Sequence, residues 1–164
     1  MNYKLATKKD LPRVVNFFQL VDKDFIPYLS KRFDIEKNLY SLFEHDEKIL
    51  ILEKIKRILW VICFSIDQNK KNCAHISYLA IHPSHRNKLL GRNLLNECLN
   101  ILIGNKVSKV FIETWSTNKE ALDLYDKKGF VIKKIINNDR GEGLDTIVLE
   151  EPIAGIKTFK KKEK

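Results

Sequence analysis

The spacing of apolar residues changes period along the first half of the chain. Residues 2 to 6 read as a short strand, and Thr7 with Asp10 has the spacing of a helix-initiating capping box. Leu11, Val14, Val15, Phe18 and Val21 then recur at helical intervals, which predicts a helix over 8 to 22 with one apolar stripe. After an irregular stretch containing Pro27, a second amphipathic segment carries Ile35, Leu39, Leu42 and Phe43 behind Asp34 as its cap. From 48 onward the segments 48 to 53, 57 to 66 and 73 to 81 are short, rich in Ile, Leu, Val and aromatics, and bounded by polar residues. They predict an antiparallel meander, with Asp67 to Asn72 as a turn.

From 73 the order becomes strand, basic turn, helix (91 to 103), strand (108 to 114), helix (118 to 127) and strand (130 to 136). Leu94, Leu95, Cys98, Ile101 and Leu102 share one face of the first of these helices. A last strand near 144 to 150 follows the turn Asp139 to Gly143. Such alternation implies crossover connections and some parallel pairing, hence a mixed α/β sheet flanked by helices, with no visible linker or repeat.

Composition narrows the class. With 164 residues, 44% hydrophobic and 31% charged, the chain reads as one soluble globular domain, of a size that buries roughly 70% of its unfolded surface. No apolar run reaches the roughly 18 residues of a membrane span. The N-terminus, Met1 to Leu5, lacks the apolar region of a secretory signal, so the cytoplasm is the expected location. Cys63, Cys73 and Cys98 form an odd set without CxxC spacing, and His82 and His85 lack further nearby ligands, so neither disulfides nor a metal are expected. The formal charge is +9, and residues 157 to 164 contribute five lysines against one glutamate, about half the excess. Residues 154 to 164 therefore read as a basic mobile tail behind a domain over 1 to 153. No aromatic-interleaved basic surface or helix-turn-helix pattern points to specific nucleic-acid binding.

The turn after strand 73 to 81 concentrates His82, His85, Arg86, Lys88 and Arg92 at a predicted helix N-terminus. Unpaired N–H groups and the helix dipole favour an anion there, and Gly91 permits close backbone approach. Taken alone, the segment fits a solvated basic turn as well as a phosphate site. Its context is more specific. Tyr78 to Arg92 (YLAIHPSHRNKLLGR) resembles the Arg/Gln-x-x-Gly-x-Gly/Ala motif that follows a strand in GNAT acetyltransferases, and Asn118 to Phe130 (NKEALDLYDKKGF) is similar to the family's Asn-x-x-Ala-x-x-x-Tyr-x-x-x-Gly-Phe segment. The first motif glycine is Leu89 here, which places a side chain where the family backbone approaches pyrophosphate.

The resemblance implies an α/β fold with a mixed, mostly antiparallel central sheet, splayed in the middle and flanked by about four helices. It implies acetyl-CoA as cofactor and direct acetyl transfer to a primary amine in a ternary complex. The cofactor site would comprise the backbone of Leu79, Ala80 and Ile81, the segment Arg86, Asn87, Lys88, Leu89, Leu90, Gly91 and Arg92, and Asn118, Ala121, Tyr125 and Lys127. Tyr125 matches the tyrosine that faces the sulfur and is the candidate general acid, although sharing a helical face with Ala121 and Leu122 also suits core packing. His75 and Glu113 fall on the two splayed strands and are candidate bases, His75 being favoured by intrinsic pKa. The structural alternatives are a strand-end role for His75 beside Cys73 and a surface ion pair for Glu113. Phe25 and Tyr28 either wall the acceptor pocket or plug the core between helices, and Trp115 is a further acceptor contact. A protein N-terminus, a lysine, a sugar amine and a polyamine all remain open as acceptors. A homodimer through the late strands is compatible with the resemblance. The competing reading is a degenerate domain that binds acyl-CoA or serves as an interaction module, against which Arg86, Gly91, Asn118 and Tyr125 all speak.

Overall fold

The computed structural model describes residues 2–67, 72–86 and 90–153. In chain order these form β1 (Asn2–Leu5), α1 (Leu11–Leu20), α2 (Leu29–Arg32), α3 (Ile35–Glu44), β2 (Lys48–Lys54), β3 (Arg57–Asp67), β4 (Cys73–Ile81), α4 (Leu90–Gly104), β5 (Lys109–Trp115), α5 (Lys119–Asp126), β6 (Val131–Ile136) and β7 (Thr146–Pro152). The predicted alternation is therefore found, with one addition: the four-residue α2 is too short to leave a periodic signature. The tail 154 to 164 lies outside the described residues.

The strands form one sheet in the order β1-β2-β3-β4-β5-β7-β6. Its neighbours run antiparallel except β4 and β5, which α4 connects as a parallel crossover. Strand periodicity distributes the core to both faces. Ile49, Ile51, Val61 and Cys63 meet Leu11, Val14 and Phe18 of α1 and Leu39 of α3 on one face. Leu50, Leu52, Ile62 and Ile76 meet Leu94, Leu95 and Cys98 of α4 on the other. Burial on both sides explains why the central strands read as continuous apolar runs rather than alternating ones.

Two helix starts follow from the sequence. Asp34 caps α3 by accepting the Lys37 N–H at 3.0 Å. Ahead of α1, Lys8–Asp10 form a 3₁₀ turn, and the Asp10 carboxylate accepts both the Thr7 N–H and its hydroxyl at 3.0 Å. Lys4 and Arg13 donate to the same carboxylate at 2.9 and 3.1 Å. Burial alone would raise the Asp10 pKa, but these donors, with Thr7 and Lys4 foremost, bring it down from 3.8 to about 2. A depressed carboxylate stabilises the fold above its unfolded pKa and loses that contribution as pH falls. The stability gap between wild type and Asp10→Asn in urea unfolding should thus be full above about pH 4 and shrink towards about pH 2.

The feature that shapes the site is in β4. Cys63 pairs with Tyr78 and Phe64 with Ile76, so Ser77 is a surplus residue, a β-bulge. Pairing between β4 and β5 runs from Cys73 opposite Lys109 to Ile76 opposite Ile112 and stops there. Beyond that point the two strands diverge.

Candidate active site

The divergence opens a cleft of about 520 Å³ between β4 and β5. Residues 75 to 81 of β4 line one wall, and Ile112, Glu113, Thr114 and Trp115 of β5 line the other. The cleft reaches both faces of the sheet. On the α4/α5 face it meets Asn118, Ala121, Leu124 and Tyr125, and on the α1–α3 face it meets Phe25, Arg32 and Arg140.

Leu79, Ala80 and Ile81 pair with β3 through one edge of their backbone only. Their other edge faces the cleft, where an extended amide-bearing chain could take the place of a strand. Coenzyme A carries such a chain in its pantetheine arm, so this wall fits the cofactor that the two motifs imply. Gly91 contributes by packing: a Cβ there would stand 3.0 Å from Ile81 Cδ1 and 3.7 Å from Leu124 Cδ2, so its absence lets α4 sit close against β4 and α5. Asn87, Lys88 and Leu89 lie outside the described residues, and Leu90 opens α4.

Arg86 at the start of that segment forms an ion pair with Asp24 and directs Nε and Nη2 towards the Ile81 carbonyl at 3.4 Å. It thus ties the 3₁₀ turn Asp22–Asp24 to the end of β4. Arg92 is exposed and Lys127 pairs with Asp123 at 2.6 Å, so neither lines the cleft. Asn118 caps α5, accepting the Ala121 N–H at 3.4 Å and donating to Thr114 Oγ1 at 3.0 Å, which fixes α5 against the end of β5.

Tyr125 is 4% exposed and packs beside Phe130 with ring centroids 5.8 Å apart. Burial drives its pKa well above the ordinary phenol value, so it stays protonated at neutral pH. No hydrogen bond to another described residue engages its hydroxyl, and the residue lines the cleft. Tyr125 is thus packed in the core and also lines the cleft. The turn that follows it is fixed by Gly129 at φ +90°, where a Cβ would stand 2.9 Å from the Glu151 carboxylate.

The α1–α3 face of the cleft carries the candidate bases. His75 is half-buried within β4, opposite Ser65 of β3 and Phe111 of β5. Glu113 is exposed on β5, and no lysine among the described residues forms an ion pair with it. Beneath them is Glu47, 7% exposed, which accepts the Ser77 hydroxyl. Burial raises the Glu47 pKa, opposed by the Ser77 hydrogen bond and the nearby His75. Tyr78 donates to Asn38 Oδ1 at 3.3 Å, and burial pushes its pKa up to about 12.

Phe25 sits edge-on to Tyr78 at 6.1 Å, 6.3 Å from Trp115 and 6.4 Å from Phe18. It is at once a core plug and a cleft wall. Tyr28 turns outward, with the Lys31 ammonium 5.0 Å above its ring, and takes no part in the cleft. Sequence reading singled out none of Asp24, Arg32, Glu47, Ser77 and Arg140. Arg140 lies inside the predicted turn Asp139 to Gly143, where nothing local distinguishes a cleft residue from a solvated one. His82, by contrast, is committed to structure: Arg57 donates to its Nε2 at 2.8 Å, and its Nδ1 meets Ser84 Oγ at 2.9 Å.

Comparison with known proteins agrees with this geometry. The model of the acetyltransferase (GNAT) family matches residues 14–130. Human N-alpha-acetyltransferase 30 is 26% identical over 137 residues, covering 82% of this chain but only 37% of its own length. The chain thus spans little more than a third of that relative. The crystal structure of ribosomal-protein-S18-alanine N-acetyltransferase from Escherichia coli superposes with a TM-score of 0.78 at 21% identity, covering 93% of each chain. A Salmonella typhimurium structure determined with its cofactor acetyl-CoA superposes at 0.75 and 16% identity, again over 93% of each chain. The sheet splayed at a bulge, the two motifs at the ends of its diverging strands and a family match over most of the chain together place this protein in the GNAT acetyltransferase family.

Proposed function

We propose that the protein is an N-acetyltransferase that moves an acetyl group from acetyl-CoA directly to the α-amine of a peptide or protein. The observation that carries this is the cleft itself, which passes through the sheet and presents a buried phenol on one face and two proton acceptors on the other. The α-amine is favoured because the human relative and the Escherichia coli neighbour are both named for N-terminal or alanine acetylation.

Bound acetyl-CoA supplies an electrophilic acetyl carbon and a thiolate leaving group. The chain's residues would do the rest. Glu113 or His75 takes a proton from the acceptor ammonium, directly or through water, so that its nitrogen can form the amide bond. Backbone N–H groups along Leu79 to Ile81 stabilise negative charge on the carbonyl oxygen. Tyr125 gives its proton to the sulfur as the carbon–sulfur bond breaks, and the second proton, which the nitrogen loses on becoming an amide, returns through water to the phenol; the position of Tyr125 on the α5 face suits that role. The walls of the cleft hold the two reactants side by side, which replaces a collision by a positioned encounter.

Mixing purified protein with acetyl-CoA and a panel of peptides, lysine derivatives, amino sugars and polyamines, while following thiol release, tests the reading. Release with α-amine peptides above the other classes is expected; no release with any amine would overturn it. The double variant His75→Ala with Glu113→Gln should lose about a hundredfold or more in kcat/KM on the best acceptor. Full activity in that variant would remove both residues from the chemistry.

A further inference from the structure

The acceptor face of the cleft carries a charge pattern that the transfer chemistry does not use. Arg140, from the turn between β6 and β7, reaches back across the molecule. Its Nη1 donates to the Ile26 carbonyl at 3.0 Å and its Nε to Thr146 Oγ1 at 2.9 Å. Its guanidinium carbon stands 5.8 Å from the centre of the Trp115 ring. Three contacts thus hold a half-buried arginine rigidly on the cleft wall, with Nη2 left over. Thr146 Oγ1 in turn donates to Asp139 at 2.6 Å, which leaves that carboxylate engaged outside the cleft.

Arg32, the last residue of α2, lines the same mouth. Its guanidinium lies 5.5 Å from the Phe33 ring, and among the described residues it forms no ion pair with a carboxylate. The two arginines are near enough to oppose each other's charge. Burial first, then Arg32, lowers the Arg140 pKa, while Glu113 and Asp139 act in its favour. Of the acids that line the cleft, Asp24 is committed to Arg86, and Glu120 belongs to α5 on the opposite face. Among the described residues Glu113 is left as the one acid that lines this face of the cleft, Asp139 lying outside it. Two like charges held at one cleft mouth are costly in isolation and are relieved by an anion placed between them. An arginine with one free edge, fixed by its other donors, is suited to a carboxylate.

Resting on the peptide α-amine reading above, we infer that the preferred acceptor carries a carboxylate close to its amine: a peptide with Asp or Glu as its first or second residue. Its ammonium lies towards Glu113, and its carboxylate lies between Arg32 and Arg140. Trp115 and Phe25 supply the apolar wall along the intervening backbone. The arginines select the acceptor, and Glu113 receives its proton.

The test uses synthetic peptides identical beyond their second residue and beginning Ser-Glu, Asp-Gln, Ser-Gln, Ser-Lys and Ser-Leu, with kcat/KM measured by thiol release. The better acidic peptide should exceed Ser-Gln by about tenfold, the size of one charge-assisted hydrogen bond, and exceed Ser-Lys by more. Arg32→Glu, a change on an exposed helix end, should invert the order of Ser-Glu and Ser-Lys. Arg32→Gln should bring Ser-Glu and Ser-Gln together, chiefly by raising KM for the acidic peptide. Equal rates for acidic and neutral peptides, a preference for Ser-Lys or Ser-Leu, or an unaltered order in both variants would overturn the inference while leaving peptide acetylation standing. Failure of every peptide to release thiol would overturn both.

Discussion

Replacing Tyr125 by phenylalanine is expected to lower kcat about a hundredfold, close to 2.7 kcal/mol of transition-state stabilisation, while the affinity for acetyl-CoA changes by less than about twofold. The reasoning is local. The phenol is buried, held protonated by its surroundings, and without a partner among the described residues, so its donor is reserved for something that enters the cleft. The ring itself packs on Phe130, and phenylalanine preserves that packing, so stability should hardly move. Steady-state thiol release together with isothermal titration of acetyl-CoA separates the two effects. A variant with wild-type turnover would reduce Tyr125 to a core residue.

The largest loss of stability is expected from Phe18→Ala, at about 3–5 kcal/mol in chemical denaturation. Phe18 is 1% exposed and stands at the centre of an aromatic cluster, 5.4 Å from Tyr78, 6.0 Å from Phe17 and 6.4 Å from Phe25. Its removal takes away dispersion contacts on three sides and leaves a cavity that the sheet face cannot close, because Val61, Cys63 and Ala80 are fixed by strand pairing. Phe25 and Tyr78 also line the cleft, so the acceptor KM should rise together with the loss of stability. A fall of less than about 1 kcal/mol would mean that the helices collapse onto the sheet more readily than the close-packed core suggests.

Most of the fold was legible because its signals are local or periodic. The apolar stripe of α1, the Asp34 cap and the short branched-chain runs of β2 to β4 each depend on a few neighbouring residues. Thr7 and Asp10 were correctly read as a start signal. The bonding differs in detail, since both groups of Thr7 donate to Asp10 and α1 follows a 3₁₀ turn. Arg86, Gly91, Asn118 and Tyr125 were singled out by the resemblance of their contiguous segments to the GNAT motifs, and Arg86, Asn118 and Tyr125 line the cleft. Contacts between distant segments were not legible. Asp24 meets Arg86 across 62 residues and Arg140 meets Ile26 across 114, and no pattern in either segment announces the other. Tyr28 shows the converse error. It stands three residues after Phe25, yet its ring is exposed and lies outside the cleft that Phe25 lines.

Ser77 has the most far-reaching consequence. In a regular strand, Ile76, Tyr78 and Ala80 would point the same way. In β4, Ile76 packs with α4, whereas Tyr78 and Ala80 pack with α1 and its neighbours. One surplus residue shifts the phase of the strand midway along its length. The first half of β4 is an ordinary member of the sheet, and the second half is a free edge with its side chains exchanged between faces. A chain lacking that residue would keep its alternation in step through to Ile81, and β4 could go on pairing with β5 past Ile112. The capacity to admit a ligand between two central strands is therefore carried by a count, the number of residues in one strand, more than by the identity of any side chain there.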